Sequence, residues 1–219
     1  LKDKLTFIDI AEPMEGSIEK DLKRRDLTIN SLAVNLKNFK MLDFTDGLYD
    51  LKHAKIKMIS EENITDDALR ILRAYRFMAT LGFKIDKKFE KVIYKHKSKI
   101  KKSAQERINQ ELMKLFGGDF ASKTLLEMDK TTLLEILFPV IAELKKVPPN
   151  SHHHLGLFEH SIETVRQIEE IYHKLPQNAQ EHMKKKDFGG ATRLAHLKLT
   201  AFLHDIGKFS TWTIDETGR

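Results

Sequence analysis

The segment Asp66-Asp67-Ala68-Leu69-Arg70-Ile71-Leu72-Arg73-Ala74-Tyr75-Arg76-Phe77 marks the point where the chain changes from strand-like to helical periodicity. From here to Leu81, apolar residues recur at the spacing of one broad helix face, and Gly82 ends the run. Thr65 is a suitable N-cap, which would place the two aspartates in the first turn, at the positive end of the helix dipole. The segment therefore predicts an amphipathic helix that begins after Thr65.

The polar residues of this helix allow two interpretations. Arg70, Arg73 and Arg76 recur at every third residue beside Asp67, which is common on a solvated helix face with ordinary charge pairs. Alternatively, Asp67 and Arg70 form a two-pronged hydrogen-bonding edge that matches the amino group and ring nitrogen of cytosine and adenine and rejects uracil and guanine. Arg73 and Arg76 would then bind phosphates, which suit a guanidinium fork.

Residues 1–60 carry the strand-like part of the sequence. The run from Leu27 to Asn35 is mostly apolar, and Met41 to Phe44 is predicted to return antiparallel to it. A short helix around Leu48 to His53 and a further strand at Ile56 are predicted to follow. Because these pieces make only part of a sheet, we expect the other strands to lie outside the chain, which would then begin within a domain.

The rest of the chain is predicted to be helical, so the expected fold is α+β and predominantly α-helical. We expect three regions: residues 1–60 as the end of a small sheet domain, 61–150 as a helical body, and 151–219 as a further helical region after Pro148-Pro149. Residues 176–190 lack periodicity and are predicted to form an exposed connection. The helices predicted after Gly82 are Lys87–His96, Gln105–Phe116, Ser122–Met128, Thr131–Phe138, Phe158–Leu175 and Arg193–Asp205.

The composition restricts the class of protein. The 38 Lys and Arg residues against 32 Asp and Glu give a net charge of +6, which favours anionic partners such as RNA or nucleotides. The chain has no cysteine, which excludes disulfides and thiolate metal sites. No apolar run approaches the roughly 18 residues of a membrane span, and no signal peptide is recognisable. We therefore expect a cytoplasmic location and no membrane partner, whereas the oligomeric state is not indicated.

A second charged cluster, Arg24-Arg25-Asp26, runs directly into the first predicted strand. Such residues are usually exposed to solvent. As part of a site, Arg25 would hold a triphosphate and Asp26 would accept a hydrogen bond from a ribose hydroxyl.

Together these segments resemble a known family. Residues 21–33, DLKRRDLTINSLA, resemble the RRD-type motif of the class II CCA-adding enzymes and bacterial poly(A) polymerases. Residues 66–77 resemble the EDxxR base-selecting helix of that family, with Asp66 in place of the usual Glu, and residues 103–108, SAQERI, resemble its structural ERI motif. The resemblance covers most of residues 15–118 and resumes in 152–219. It implies that Arg25, Asp67, Arg70, Arg73 and Arg76 contact CTP or ATP, with Asp26 near the ribose.

The resemblance also implies a reaction. In this family the 3′-hydroxyl of an RNA attacks the nucleotide α-phosphate with the help of Mg²⁺ ions held on an Asp-x-Asp pair. The parent enzyme would add CMP and AMP to the 3′ end of tRNA, or adenylate another RNA as a poly(A) polymerase. No Asp-x-Asp occurs in the sequence. We therefore expect that the chain holds no catalytic residue and cannot transfer a nucleotide alone.

The C-terminal region contains candidate metal ligands. His160 and the pair His204-Asp205 resemble the HD domain of metal-dependent phosphohydrolases, and Lys208 could meet a phosphate oxygen. Imidazoles with a carboxylate suit a divalent transition metal. An HD phosphohydrolase and a non-catalytic RNA-binding module are therefore the alternatives to a nucleotidyltransferase, although HD domains attached to these enzymes can also be purely structural.

Overall fold

The computed structural model describes residues 10–13, 16–149 and 154–211. The first elements are α1 (Ile18–Lys23), a 3₁₀ turn (Thr28–Asn30), β1 (Leu32–Val34), β2 (Met41–Asp43), α2 (Gly47–Lys52), β3 (Lys55–Ile56) and α3 (Glu61–Asp66). Next come α4 (Leu69–Leu81), β4 (Lys84–Ile85), α5 (Lys87–His96), a 3₁₀ helix (Lys97–Lys102), α6 (Gln105–Phe116) and α7 (Ala121–Lys130). The last are α8 (Leu133–Leu137), α9 (Ile141–Leu144), α10 (Leu157–Tyr172), α11 (Gln177–Lys184), a 3₁₀ turn (Phe188–Gly190), α12 (Arg193–Leu203) and α13 (Lys208–Thr211). The predicted α+β, mainly helical class is confirmed.

The strands form two small sheets. β1 and β2 pair antiparallel with Leu32 opposite Asp43, as the sequence predicted. β3 pairs in parallel with β4, with Ile56 opposite Ile85, and this pairing was not predicted. The predicted strand from Leu27 is wrong over residues 28–30, which form a 3₁₀ turn. The turn is fixed because the buried Thr28 hydroxyl donates to Asp50 Oδ2 at 2.8 Å.

The helix predicted after Thr65 is divided in two. Ser60, rather than Thr65, caps α3 by accepting a hydrogen bond from the Asn63 backbone N–H at 3.1 Å. Asp66 ends α3, and Asp67 has an extended backbone with φ of −139°. The prediction that Thr65 is the cap and that both aspartates lie in the first turn is therefore wrong.

Helix α4 lies at the centre of the molecule. Its buried face, which includes Ile71, Leu72 and Tyr75, packs against α6 and α7. The Tyr75 hydroxyl is 3.0 Å from Thr131 Oγ1 at the end of α7. The helix ends at Gly82, as predicted, in the left-handed conformation that glycine adopts without strain (φ of 71°).

The hydrophobic core is continuous from Leu27 to Phe202, because α12 packs on both α6 and α10. Inside this packing Lys198 is 1% exposed and donates to the Gly118 carbonyl at 2.7 Å and to Glu169 at 3.2 Å. These contacts fix the turn between α6 and α7. The core thereby holds α6 firmly beside α4.

The predicted helices after Gly82 are confirmed, with ends that differ by a few residues. The exposed connection predicted for residues 176–190 is wrong in part, because α11 lies within it. None of the residues of α11 is buried. Its sequence, QNAQEHMK, contains only Ala179 and Met183 as apolar residues, too few to show an apolar face.

Candidate nucleotide-binding site

A pocket of about 480 Å³ opens between residues 24–30, the start of α4 and the side of α6. Five arginines and two aspartates contribute to its wall. The lining residues are Arg24, Arg25, Asp26, Asn30, Asp67, Arg70, Arg73, Phe77 and Arg107. The pocket thus contains five of the six residues that the sequence predicted to bind a nucleotide, and its excess of guanidinium groups suits an anionic ligand.

Asp67 lies where α3 ends and α4 begins. Its Oδ1 accepts a hydrogen bond from the Leu69 backbone N–H at 3.2 Å, and its backbone carbonyl accepts from the Arg70 N–H at 3.0 Å. Oδ2 accepts from Arg107 Nη2 of α6 at 2.7 Å. These contacts fix the carboxylate at the pocket wall, and each oxygen keeps capacity to accept a further hydrogen bond.

Arg70 is anchored through one nitrogen of its guanidinium group. Nη1 donates to the carbonyls of Arg24 at 2.9 Å and Asn63 at 3.0 Å. Both of its hydrogen bonds within the described residues use this atom, so Nε and Nη2 are available to a ligand. Asp67 and Arg70 therefore present an acceptor and donors on one wall, as a base-selecting pair requires.

Asp26 and Arg73, which both line the pocket, form an ion pair. Arg73 Nε donates to Asp26 Oδ2 at 2.5 Å, and Asp26 Oδ1 accepts from Leu27 N–H at 2.9 Å and from Asn30 at 3.3 Å. Burial by itself would raise the pKa of Asp26, but these donors, led by Arg73, outweigh it and lower the pKa below its ordinary value. Asp26 is therefore ionised at neutral pH.

Arg25 extends along the rim of the pocket. Its Nη1 donates to the Asn30 carbonyl at 2.9 Å and its Nη2 lies 3.4 Å from Asp21 Oδ2. The side chain is 44% exposed, which leaves it accessible to a ligand.

Arg76, the sixth predicted residue, does not line the pocket. Its Nε lies 2.7 Å from Oε2 of the buried Glu111 on α6, although the orientation does not meet hydrogen-bond geometry. The guanidinium group also stacks on Phe77, 3.7 Å from the ring centre. Its side chain is only 17% exposed and connects α4 to α6, and the predicted contact of Arg76 with a nucleotide stays a prediction.

Sequence reasoning did not assign Arg107 to this site. Arg107 lies within the segment SAQERI, which was interpreted as structural, and it is separated from Asp67 by 40 residues. Periodicity reveals only neighbours within one helix, so no local signal connects the two residues.

The pocket carboxylates do not form a platform for Mg²⁺. Asp26 is held by Arg73, and Asp67 by Arg107. Mg²⁺ needs carboxylate oxygens that converge on the ion, whereas these oxygens are directed at guanidinium groups. We assign no chemical step to these two residues.

The predicted metal ligands of the C-terminal region do come together. Candidate ligand atoms of His160, His204 and Asp205 all lie within 4.8 Å of one another. Asp205 Oδ2 is 3.7 Å from His160 Nε2, 3.2 Å from His204 Nε2 and 2.8 Å from Lys208 Nζ. The imidazoles and the carboxylate can share an ion, provided that it displaces the Lys208 contact.

In the part of the chain that the structure describes, no helix combines the length and the apolar content needed to cross a membrane.

Comparison with known proteins identifies related sequences and folds. Residues 3–57 match the family model described as the poly A polymerase head domain, and residues 82–145 match that of a probable RNA and SrmB-binding site of polymerase A. The A-adding tRNA nucleotidyltransferase of Deinococcus radiodurans is 30% identical over 213 residues, which cover 94% of this chain and 45% of that protein. The CCA-adding enzyme of Bacillus subtilis is 38% identical over 137 residues, or 60% of this chain and 34% of that protein.

Solved structures show the same relationship. A CCA-adding enzyme in complex with CTP has a TM-score of 0.58 and 25% identity, covering 91% of this chain and 45% of that one. The Thermotoga maritima CCA-adding enzyme complexed with tRNA gives a TM-score of 0.58, 25% identity and coverage of 90% and 45%. The chain spans less than half the length of the curated relatives it matches. With both family models and these relatives in agreement, the chain belongs to the family of class II tRNA nucleotidyltransferases and bacterial poly(A) polymerases.

Proposed function

We propose that the pocket binds CTP and ATP, that Asp67 and Arg70 select the base, and that the protein acts in the addition of C and A to the 3′ end of tRNA. The observation that carries this proposal is the convergence of Asp67 and Arg70 with Arg25 and Arg73 in one pocket. Relatives solved with CTP and with ATP support it.

The geometry suggests how the two ends of a nucleotide are bound. An exocyclic amino group can donate to Asp67, while Arg70 Nε or Nη2 donates to the adjacent ring nitrogen. Uracil and guanine present a carbonyl and an N–H at these positions, so both contacts would be unfavourable. Arg24 and Arg25, on the rim, are then placed to neutralise the triphosphate, with which Mg²⁺ would enter.

The RNA partner follows from the family. The Thermotoga maritima relative is solved with tRNA, and the match to a probable RNA-binding segment covers residues 82–145. We also propose that the protein acts in the cytoplasm. A poly(A) polymerase would use the same pocket but would favour ATP alone.

A panel of nucleotides tests this function. Dissociation constants for CTP, ATP, UTP and GTP are measured by calorimetry in the presence of Mg²⁺. We expect CTP and ATP to bind at least about tenfold more tightly than UTP and GTP, because the wrong bases leave two polar contacts unmade. Equal affinity for all four would contradict base selection and would favour a non-selective RNA-binding module. Selectivity for ATP alone would favour the poly(A) polymerase alternative.

We propose, as a second candidate function, that His160, His204 and Asp205 bind a divalent transition metal. The convergence of their ligand atoms within 4.8 Å supports this proposal. Zn²⁺, Mn²⁺ and Ni²⁺ are titrated while the melting temperature is followed. We expect a concentration-dependent increase that His204→Ala abolishes and that the control His53→Ala, in a separate part of the fold, retains. An equal increase in all three proteins would contradict the site.

A further inference from the structure

Asn63 connects the segment that carries Arg25 to helix α3. Its side-chain amide donates hydrogen bonds to the backbone carbonyls of Lys23 and Arg25, both at 2.8 Å. These contacts join residues 38 and 40 positions apart in the chain. Asn63 thus fixes the backbone from which the Arg25 side chain extends over the pocket.

Arg70 binds the same segment. Its Nη1 donates to the carbonyl of Arg24, between the two carbonyls that Asn63 holds, and to the carbonyl of Asn63 itself. Four hydrogen bonds therefore tie residues 23–25, Asn63 and Arg70 into one unit. A displacement of this segment would move Arg25 and the Arg70 guanidinium group together.

Asn63 itself does not line the pocket. It lies between the residue proposed to contact the triphosphate, Arg25, and a residue proposed to select the base, Arg70. Hydrogen-bonded recognition of a base tolerates only small displacements of the donor. The contacts of Asn63 are therefore placed to influence both ends of a bound nucleotide without touching either.

We propose that Asn63 is a positioning residue that couples binding of the triphosphate to selection of the base. The inference rests on the proposed function, because it requires that Arg25 and Arg70 contact the nucleotide. When a triphosphate orders Arg25, the shared backbone holds Arg70 in the orientation that accepts cytosine or adenine. By linkage, the correct base favours the orientation of Arg25 that binds phosphate.

The side-chain amide of Asn63 allows two substitutions that test this role. One amide nitrogen offers two donors, and both go to backbone carbonyls. Asn63→Ala removes both donors. Asn63→Asp keeps the volume of the side chain but replaces the donors with an acceptor facing two carbonyl oxygens, so it should break the same contacts.

The experiment compares two ratios in each variant. The base ratio is Kd for UTP divided by Kd for CTP, and the phosphate ratio is Kd for CMP divided by Kd for CTP. Both are measured for the wild type, Asn63→Ala and Asn63→Asp. The matched control is Asn109→Ala, since Asn109 lies on α6 and accepts a hydrogen bond from exposed Gln105 at 2.9 Å, outside the pocket lining. Circular dichroism verifies the fold, and Asn63→Asp supplies the result if Asn63→Ala does not fold.

We expect both ratios to fall about three- to tenfold in each Asn63 variant and to stay unchanged in Asn109→Ala, as the loss of one or two hydrogen bonds at each end predicts. In contrast, Asp67→Ala should lower mainly the base ratio and Arg25→Ala mainly the phosphate ratio. A folded Asn63 variant that retains either ratio would overturn the coupling. A base ratio of one in the wild type would instead contradict the proposed function itself.

Discussion

Arg107 on α6 donates from Nη2 to Oδ2 of Asp67 at 2.7 Å, so a residue 40 positions away holds the carboxylate that is proposed to select the base. The second oxygen of that carboxylate accepts from the Leu69 backbone N–H. The two contacts together restrict rotation of the carboxylate. The position of the Asp67 carboxylate, and with it the proposed base selection, therefore depends on how α6 packs against α4.

Substitution of Arg107 tests this dependence. We expect Arg107→Gln to lower the preference for CTP over UTP about three- to tenfold, because Asp67 loses its charged donor. Stability should change by less than about 1 kcal/mol, since the side chain of Arg107 is 52% exposed. Calorimetry and urea unfolding measure the two effects. Arg166→Gln, which breaks two exposed ion pairs on α10, is the control. An unchanged preference in Arg107→Gln would contradict the proposed role of Arg107.

The ion pair of Asp26 and Arg73 predicts a dependence of stability on pH. The folded state lowers the pKa of Asp26 below its ordinary 3.8. The ionised Asp26 therefore makes its full contribution to the free energy of unfolding at pH values above 3.8. That contribution is lost as the pH falls through the lower pKa that Asp26 has in the folded state. We expect Asp26→Asn to cost about 1–3 kcal/mol at pH 7 and progressively less as the medium becomes more acidic.

Urea unfolding of both proteins between pH 7 and pH 2.5 measures this difference. Asp66→Asn, a substitution at an exposed carboxylate on the neighbouring helix, is the control and should follow the wild type closely. A difference between Asp26→Asn and the wild type that stays constant over the whole range would show that the ionised carboxylate contributes nothing.

For Arg76, the sequence pattern and the structure predict different effects of a substitution. The repeat of every third residue predicted that it binds phosphate, whereas it contacts Glu111 and Phe77. We expect Arg76→Ala to lower the free energy of unfolding by about 2–4 kcal/mol, because the buried Glu111 carboxylate would keep only Lys114 as an ion-pair partner among the described residues. The Kd for CTP should stay within about twofold once the folded fraction is taken into account.

The Kd for CTP of Arg76→Ala is compared with that of Arg73→Ala. Arg73 lines the pocket, so its removal should weaken CTP binding about tenfold or more. If Arg76→Ala weakened binding as strongly while leaving stability intact, Arg76 would be a phosphate ligand after all.

The helices that the sequence predicted correctly, such as α4 and α10, have a periodic buried face, which depends on neighbours in sequence. The β1 and β2 pair has no buried residue and was predicted from two apolar runs that follow each other closely in the chain. The break at Asp67 was missed because Ile64 and Leu69, on either side of it, are both buried and continue the apolar pattern. At the break Asp67 has an extended backbone, and its carboxylate accepts from the Leu69 N–H and from Arg107 of α6, a contact 40 positions away that no local pattern shows.

The candidate site, too, was predictable from the sequence only in part. Asp67 and Arg70 are close in sequence, so their spacing was sufficient to predict the pair. Arg76 was assigned to their face because it continues the spacing of three, but a step of six residues rotates about 120° around a helix with 3.6 residues per turn. That rotation turns Arg76 towards Glu111 on α6. The role of Arg107 depends on helix packing, which no local pattern contains.

The most direct test of base selection is the ratio of Kd for UTP to Kd for CTP in the wild type, in Asp67→Ala and in the matched control Asp66→Ala. The substituted residues are adjacent, but Asp66 is exposed and does not line the pocket. We predict a ratio of about ten or more in the wild type and in Asp66→Ala, and a ratio near one in Asp67→Ala, which should still bind both triphosphates through its arginines. A folded Asp67→Ala protein that keeps the wild-type ratio would contradict the proposal that Asp67 selects the base.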